Sequence, residues 1–222
     1  GLLKSSVHCI LVTLQRQNYL TRNEATGRYV FSPKLFSLAN MAISGLKLRE
    51  QGMPYLLALN QKTALTVHMA ILRQNEAVII AKVEGASVTR LATWVGKRME
   101  LHCTSIGKAL LADVPQDQLR QKIKPRGFTR HNENTIASLK RLQEDLAKVV
   151  QRGYAIDDEE DEIGLRCIGV PVRHPTGAVI AAISIAGTTT QITADSVHQL
   201  AEQLKNTAAA ISQTFVPAPS TP

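Results

Sequence analysis

The run Ala178-Val179-Ile180-Ala181-Ala182-Ile183-Ser184-Ile185-Ala186 holds no charge and a single hydroxyl in nine residues. It falls well short of the roughly 18 apolar residues a membrane helix needs, and both of its alternating faces are too apolar to border water. Such a run reads as a buried strand, which needs strand neighbours and a cover. Thr66 to Leu72 and Ala77 to Val83 read as a hairpin about the turn Arg73-Gln74-Asn75-Glu76,. Val88 to Val95, Tyr154 to Asp157 and Cys167 to Val172 read as further strands, with a turn at His174-Pro175-Thr176-Gly177. Helices are expected from Pro54 as first helical residue to about Thr63, from Thr104 to Ala112, and over 117–123,. Another follows the stripe Leu139, Leu142, Leu146, Val149, Val150 and ends at Gly153,. The last starts at Thr193 or Asp195 and carries Val197, Leu200, Leu204, Ala208, Ile211 and Phe215. The class is α+β: hairpins feeding an antiparallel sheet, covered by helices. No glycine-rich phosphate loop follows a strand, which weakens a nucleotide-binding reading.

The front of the chain is a different object. Val7, Ile10, Leu11 and Leu14 form one helical stripe,, and Ser5 or Ser6 can supply the N-cap hydroxyl. The opposite face is centred on Ser5, Cys9 and Arg16, with Ser6, Val12 and Thr13 beside them and no acid. Tyr19 to Arg22 and Arg28 to Phe31 then read as two short strands about the turn Asn23-Glu24-Ala25-Thr26-Gly27,. A helix followed by a basic-edged hairpin is the back half of a winged helix-turn-helix, whose second helix enters the DNA major groove. Lys4, Ser5, Ser6, His8, Cys9, Thr13 and Arg16 are the groove-facing candidates, and Arg22 and Arg28 flank the wing tip. The two helices that normally complete the motif are absent before Gly1, so the chain is expected to be a fragment.

Charge points the same way. Residues 1–34 hold Lys4, Arg16, Arg22, Arg28 and Lys34 against Glu24 alone, which is half of the net +8 of the 222-residue chain. A basic end on a near-neutral body suits contact with a polyanion. Beyond the break at Ser32-Pro33, the stripe Leu35, Leu38, Ala39, Ala42 and Leu46, widened by Phe36, Met41 and Ile43, forms a linker helix suited to dimerisation. The expected divisions are 1–33 for the partial DNA-binding domain, 34–51 for the linker, 52–216 for the second domain and 217–222 for a disordered tail. Three widely spaced cysteines, Cys9, Cys103 and Cys167, fit a reducing cytoplasm better than a disulfide framework,. No signal peptide or membrane-spanning segment is apparent.

Several stretches together resemble the IclR family of bacterial transcriptional regulators along nearly the whole chain. They are Lys4-Ser5-Ser6-Val7-His8, Glu24-Ala25-Thr26-Gly27-Arg28-Tyr29, Val95-Gly96-Lys97-Arg98, Leu101 to Ala109, Arg152 to Glu160, Gly164-Leu165-Arg166-Cys167 and Ala182 to Gly187. The resemblance implies an N-terminal winged helix-turn-helix, a linker helix and a GAF-like effector domain with an antiparallel sheet. It implies operator DNA and a small-molecule effector, a small organic acid or aromatic metabolite, as partners. It also implies a homodimer or dimer of dimers. Cys9 stands where the family often has arginine, and Ile106 and Ala186 make the implied pocket more apolar than usual. That pocket would be lined by Val88, Leu91, Met99, Ser105, Ile106, Asp157, Leu165, Cys167, Ser184 and Ala186.

Independent chemistry adds detail. Ser105 falls in the first turn of a helix, where N–H groups favour a carboxylate. The acidic run Asp157 to Glu162 reads as a solvated loop with Asp157 turned inward,. His68, His102, Cys103 and Cys167 lack zinc-ligand spacing, and a strand through His102-Cys103 would split them to opposite sides. Neither Cys167 nor Ser105 has a histidine placed as its base. No catalytic residue, cofactor or metal is therefore expected. The function expected is a cytoplasmic, ligand-responsive, DNA-binding regulator. The rivals are an orphan small-molecule sensor and, behind it, a metal- or thiol-dependent enzyme.

Overall fold

The computed structural model describes residues 1–35, 47–86, 91–124 and 126–215, and the chain divides into two units, Gly1–Lys47 and Leu48–Pro222. Val88, most of the linker stripe (Phe36 to Leu46) and the tail 217–222 lie outside the described residues.

In the first unit, α1 (Lys4–Arg16) is followed by the antiparallel strands β1 (Leu20–Arg22) and β2 (Tyr29–Phe31), with Leu20 opposite Phe31. Gly27 sits at φ +67°, and the Asn23 side chain accepts from the Thr26 N–H at 2.9 Å, so the turn closes where Gly27 and Asn23 allow it. The serine cap does not form: the N-cap is Leu3, without a side-chain hydrogen bond. The helix starts ahead of both serines, so their hydroxyls lie inside its first turn and are exposed. No residue of α1 is buried; Val7 is 39% and Ile10 49% exposed. Lys34 ties the end of the hairpin back, its Nζ 2.8 Å from the Gln17 carbonyl and 4.6 Å from the Tyr19 ring centre.

The second unit is built on a six-stranded antiparallel sheet. Its strands are β3 (Thr66–Arg73), β4 (Glu76–Val83), β5 (Arg98–Met99), β6 (Ala155–Asp158), β7 (Leu165–Arg173) and β8 (Val179–Thr188), in the order β5-β4-β3-β8-β7-β6. The apolar run is the inner strand β8, paired with β3 and β7. The β3–β4 turn puts Gln74 and Asn75 at φ +49° and +63°, the left-handed pair that matches the right-handed twist of a hairpin.

Helices cover both faces. On one, Met69 of β3 meets Gly52 of α2 (Lys47–Thr63), beside Ile211 of α6 (Val197–Gln213). On the other, α3 (Ser105–Leu110), α4 (Gln116–Ile123) and α5 (Leu139–Arg152) share one core with Ala70, Ala155 and Ala182. Thr104 caps α3, its Oγ1 accepting from Gly107 at 3.1 Å, and Gly153 caps α5 in the left-handed conformation.

Two sequence expectations are corrected. Pro54 does not start its helix but lies inside α2; the buried face of Gly52, Leu56 and Leu59 carries the helix through despite the lost N–H,. Residues 91–95 form no strand. Their carbonyls are taken by lysines: Lys82 Nζ donates to Leu91 and Thr93 at 3.2 and 2.8 Å, and Lys97 Nζ to Ala92 at 2.6 Å. With those acceptors satisfied by side chains, the segment has no need of a ladder.

Among the described residues the largest fully buried side chain carries a charge. Lys108, on α3, has no exposure and places Nζ 2.5 Å from Glu160 and 2.9 Å from Asp145 of α5. Removing one partner of a buried ion group strands the others. Lys108→Met keeps the volume and should destabilise the protein by about 3–5 kcal/mol at neutral pH. Urea unfolding should show a smaller loss once the two carboxylates are protonated by acid.

Candidate functional site

The strand registers set two rows of side chains across the face covered by α3. Thr66, Ala186, Cys167 and Asp157 lie opposite one another in turn. The next row runs Lys82, His68, Ser184, Gly169 and Ala155. Alternation then brings Ser184 with Ala186, and Asp157 with Cys167, to one surface. A register shift beside Met69 and Ala70 leaves Ile79 opposite Ala70 and Lys82 opposite His68, so that both reach the same face,.

Gly169 is where α3 comes down on this surface. A Cβ there would overlap the Ser105 carbonyl, and one on Gly107 would overlap the Glu100 carbonyl and Leu101 backbone. Both glycines are needed for close backbone approach rather than for turning. The space left between α3, the sheet and the 91–97 loop is a cavity of about 60 Å³, lined by apolar side chains with a few polar ones among them, as small-molecule sites are.

Of the residues expected to line it, Leu91, Met99, Ser105, Ile106, Asp157, Leu165, Cys167, Ser184 and Ala186 do so; Val88 lies outside the described residues. The sequence reading missed His68, Ile79, Ala92, Thr93, Lys97, Thr104, Asp161 and Glu162. His68 and Thr93 were concealed by distance in sequence, and their contact is direct: His68 Nε2 lies 2.8 Å from Thr93 Oγ1. One signal was available for His68, an ionisable residue amid the apolar alternation of β3. Lys97 stands over the Trp94 ring at 5.3 Å, and Trp94 is 60% exposed.

Burial governs the charge states of the wall. His68 is pushed down to about 3 by desolvation and by the nearby Lys82 and Lys97, so it is neutral at physiological pH. Asp157 is raised to about 8 by burial and by Glu160, against the pull of Lys108. Its Oδ1 accepts from the Glu160 and Asp161 N–H groups at 2.9 and 3.4 Å. The acidic run is thus not wholly solvated. Asp157 turns inward as expected, but Glu160 does too, because Lys108 waits for it and Thr135 Oγ1 donates to its carbonyl at 2.8 Å.

Beside the cavity, residues far apart in sequence gather a second set of polar groups. Glu100, His102 and Cys103 offer ligand atoms within 4.8 Å of one another, as do Cys103, His131 and Asp161. His131 Nε2 is 2.9 Å and Cys103 Sγ 3.5 Å from Glu100 Oε2, and His131 is 3.8 Å from Asp161. Residues 101–103 form a turn, not a strand, so adjacent His102 and Cys103 both reach Glu100. The Cys103 thiol is held protonated by burial and by Asp161, Glu100 and Asp157, the reverse of what a nucleophilic thiol requires.

On the first unit, Lys4, Ser5, Ser6, His8, Cys9, Thr13 and Arg16 are all exposed along α1, and no acid interrupts them. Thr13 Oγ1 donates to the Cys9 carbonyl at 2.8 Å. Arg22 and Arg28 are exposed on the hairpin; Arg22 stacks 5.9 Å from the Tyr29 ring centre and donates to the Gly27 carbonyl at 3.4 Å.

The lowered His68 value has a signed consequence. Its folded-state pKa lies below the unfolded one, so the neutral form supports folding fully above about 6.5, and that support is lost as pH falls from there toward 3,. His68→Gln should flatten the acid limb. Between pH 6.5 and 5 the wild-type chain should lose up to about 2 kcal/mol more stability than the variant, at 1.36 kcal/mol per unit, measured by denaturant unfolding. Separately, Gly169→Ala should displace α3 and deform the cavity, which hydrogen exchange of the α3 amides would register.

The family described as bacterial transcriptional regulator IclR C-terminal matches residues 40–213. The HTH-type transcriptional regulator XynR of Escherichia coli is 33% identical over 215 residues, covering 97% of this chain and 85% of that protein. The Escherichia coli transcriptional repressor IclR is 31% identical over 201 residues, 90% of this chain and 73% of that one. Among solved structures, Thermotoga maritima IclR superposes with a TM-score of 0.82 at 30% identity, over 95% of this chain and 85% of that chain. An IclR homolog from Microbacterium hydrocarbonoxydans complexed with 4-hydroxybenzoate shares the fold, with a TM-score of 0.81 at 23% identity over 96% and 86%. With an acid-free exposed helix and basic hairpin ahead of a sheet that holds a small-molecule cavity, and with these relatives matched along nearly its full length, the chain belongs to the IclR family of bacterial transcriptional regulators.

Proposed function

We propose that α1 is the recognition helix and the β1–β2 hairpin the wing, and that the cavity of the second unit holds the effector to which operator binding responds. What carries the DNA assignment is the unbroken exposed face from Lys4 to Arg16, basic at both ends and without an acid. Phosphates bind lysine, arginine, hydroxyls and helix N–H groups, and Arg22 and Arg28 stand ready at the hairpin for backbone or minor groove. Cys9, at the centre of the face, gives base contacts a small apolar group where an arginine would have read guanine.

The effector is a small organic acid bearing a ring or a short apolar body. Ile79, Leu91, Met99, Ile106 and Leu165 offer apolar wall. Ser105, Ser184, neutral His68 and Lys97 offer donors, and the raised Asp157 adds a carboxyl proton. The homolog of this fold that is complexed with 4-hydroxybenzoate makes that compound a natural probe. Such a ligand shifts operator affinity only through its different affinity for the two states of the protein. The protein acts in the cytoplasm as a homodimer or a dimer of dimers, because a palindromic operator calls for a two-fold partner. It is a regulator rather than an enzyme, in keeping with relatives that are transcriptional regulators. Among the described residues no helix is long and apolar enough to cross a membrane.

Operator binding should weaken steeply with salt. Lys4→Ala with Arg16→Ala should abolish sequence preference and reduce the slope of log affinity against log salt by up to about two, measured by fluorescence anisotropy with an operator selected from random DNA. Unchanged specific binding would overturn the groove assignment. For the cavity, a thermal-shift screen of aromatic and aliphatic acids should give at least one stabilising ligand. Ser184→Ala should weaken that ligand about tenfold, or ~1.4 kcal/mol.

A further inference from the structure

We infer that Cys103, His131 and Asp161 form a binding site for a zinc-type divalent cation, with Glu100 the carboxylate nearest its fourth position. The donors come from three separate stretches. Cys103 lies in the turn ahead of α3, His131 in the loop ahead of α5, and Asp161 in the loop between β6 and β7. No ligand-spacing motif could have shown them in the sequence, yet their ligand atoms lie within 4.8 Å of one another. In a tetrahedral zinc site with bonds of 2.0–2.3 Å, ligand atoms stand about 3.3–3.8 Å apart. The 3.8 Å between His131 and Asp161 and the 3.5 Å between Cys103 and Glu100 are already at that spacing.

The protons mark where the ion goes. His131 Nε2 and Cys103 Sγ, both hydrogen donors here, converge on Glu100 Oε2. Replacing those hydrogens with one ion keeps the convergence: Cys103–SH plus M²⁺ gives Cys103–S⁻–M²⁺ and one released proton. His131, a hydrogen donor at Nε2 without the ion, moves that proton to Nδ1 so that its Nε2 lone pair faces the metal, and the thiol proton is the one released. Thiolate, one aspartate and one neutral imidazole cancel the charge of a divalent ion, which suits a buried thiol. Sulfur with nitrogen and oxygen donors selects zinc over magnesium or calcium.

The surroundings hold the ligands in place. His102 Nε2 donates to the Thr129 carbonyl at 3.0 Å and its ring meets Phe128 edge-on at 5.3 Å, which pins the 129–131 segment against the turn carrying Cys103. His102 is thus a positioning residue. The backbone of the acidic loop is tied to the same segment by Asn132 Nδ2, 2.9 Å from the Glu159 carbonyl. Asp161 lines the effector cavity as well as this cluster, so a bound ion would brace one wall of that cavity. The site does not depend on the identity of the effector or on DNA binding.

The test uses the full chain in a Cys9→Ser background, which removes the exposed thiol. After treatment with EDTA the protein should take up one equivalent of Zn²⁺ in competition with a chromophoric chelator, releasing one proton per ion. Co²⁺ should give a thiolate-to-cobalt charge-transfer band. Cys103→Ser should abolish the band, and His131→Ala and Asp161→Asn should each lower affinity at least about tenfold. Circular dichroism in EDTA should match the parent; if Cys103→Ser misfolds, partly exposed His131 still decides through its own variant. The site is refuted if uptake stays below about a tenth of an equivalent, if the cobalt band survives Cys103→Ser, or if affinity is indifferent to His131→Ala. Loss of the metal with operator binding intact separates this site from the regulatory function.

Discussion

The contact on which the second unit turns is the seating of α3 on β7. At Gly169 the Ser105 backbone comes so close to the strand that no side chain fits between, and at Gly107 the helix closes in the same way on the Glu100–Leu101 turn. These two approaches fix how far the helix stands from the sheet, and that distance is the depth of the cavity. Lys108 then anchors the far side of α3. Its ammonium, out of reach of water, draws in Glu160 and Asp145, since a buried charge without partners is far too costly to keep. The acidic loop is therefore pulled onto the sheet instead of standing in solvent, and it brings Asp161 to the cavity wall beside Asp157 of β6.

Electrostatics inside the cavity follow from the same packing. Desolvation disfavours whichever form is charged, so His68 loses its proton and Asp157 keeps one, and the wall sets these neutral groups beside Lys97, Asp161 and Glu162. The neutral His68 and Asp157 can exchange hydrogen bonds with an acid without leaving a buried countercharge behind when the ligand departs. That reversibility is what a sensor requires. In the neighbouring cluster the balance is different, because the Glu100 and Asp161 carboxyl groups stand against one thiol and a cation would relieve both.

The two units divide the work by surface character. The first presents hydroxyls, amines and guanidinium groups to solvent on a short helix and hairpin. The second hides its chemistry between layers. Any coupling between operator and effector has to be carried as a difference in stability between two arrangements of the whole protein, and a cavity wall braced by ion pairs has few intermediate states to offer.

Local periodicity determined much on its own: α1, the hairpin with Gly27, the β3–β4 turn, the helix ended by Gly153 and the inner strand β8 all follow from patterns a few residues long. Most of the cavity wall was also legible, through Ser105, Asp157, Cys167 and Ser184, because the family resemblance carried those positions. Tertiary structure alone decided the rest. The register of β3 against β8 put His68 beside Ser184, lysine side chains took the carbonyls of 91–93 where a strand was expected, and Lys108 turned Glu160 inward. The meeting of Cys103, His131 and Asp161 is of the same kind. Backbone preference acts between neighbours in sequence, whereas registers, buried ion groups and ligand clusters depend on which distant segments the finished core presses together.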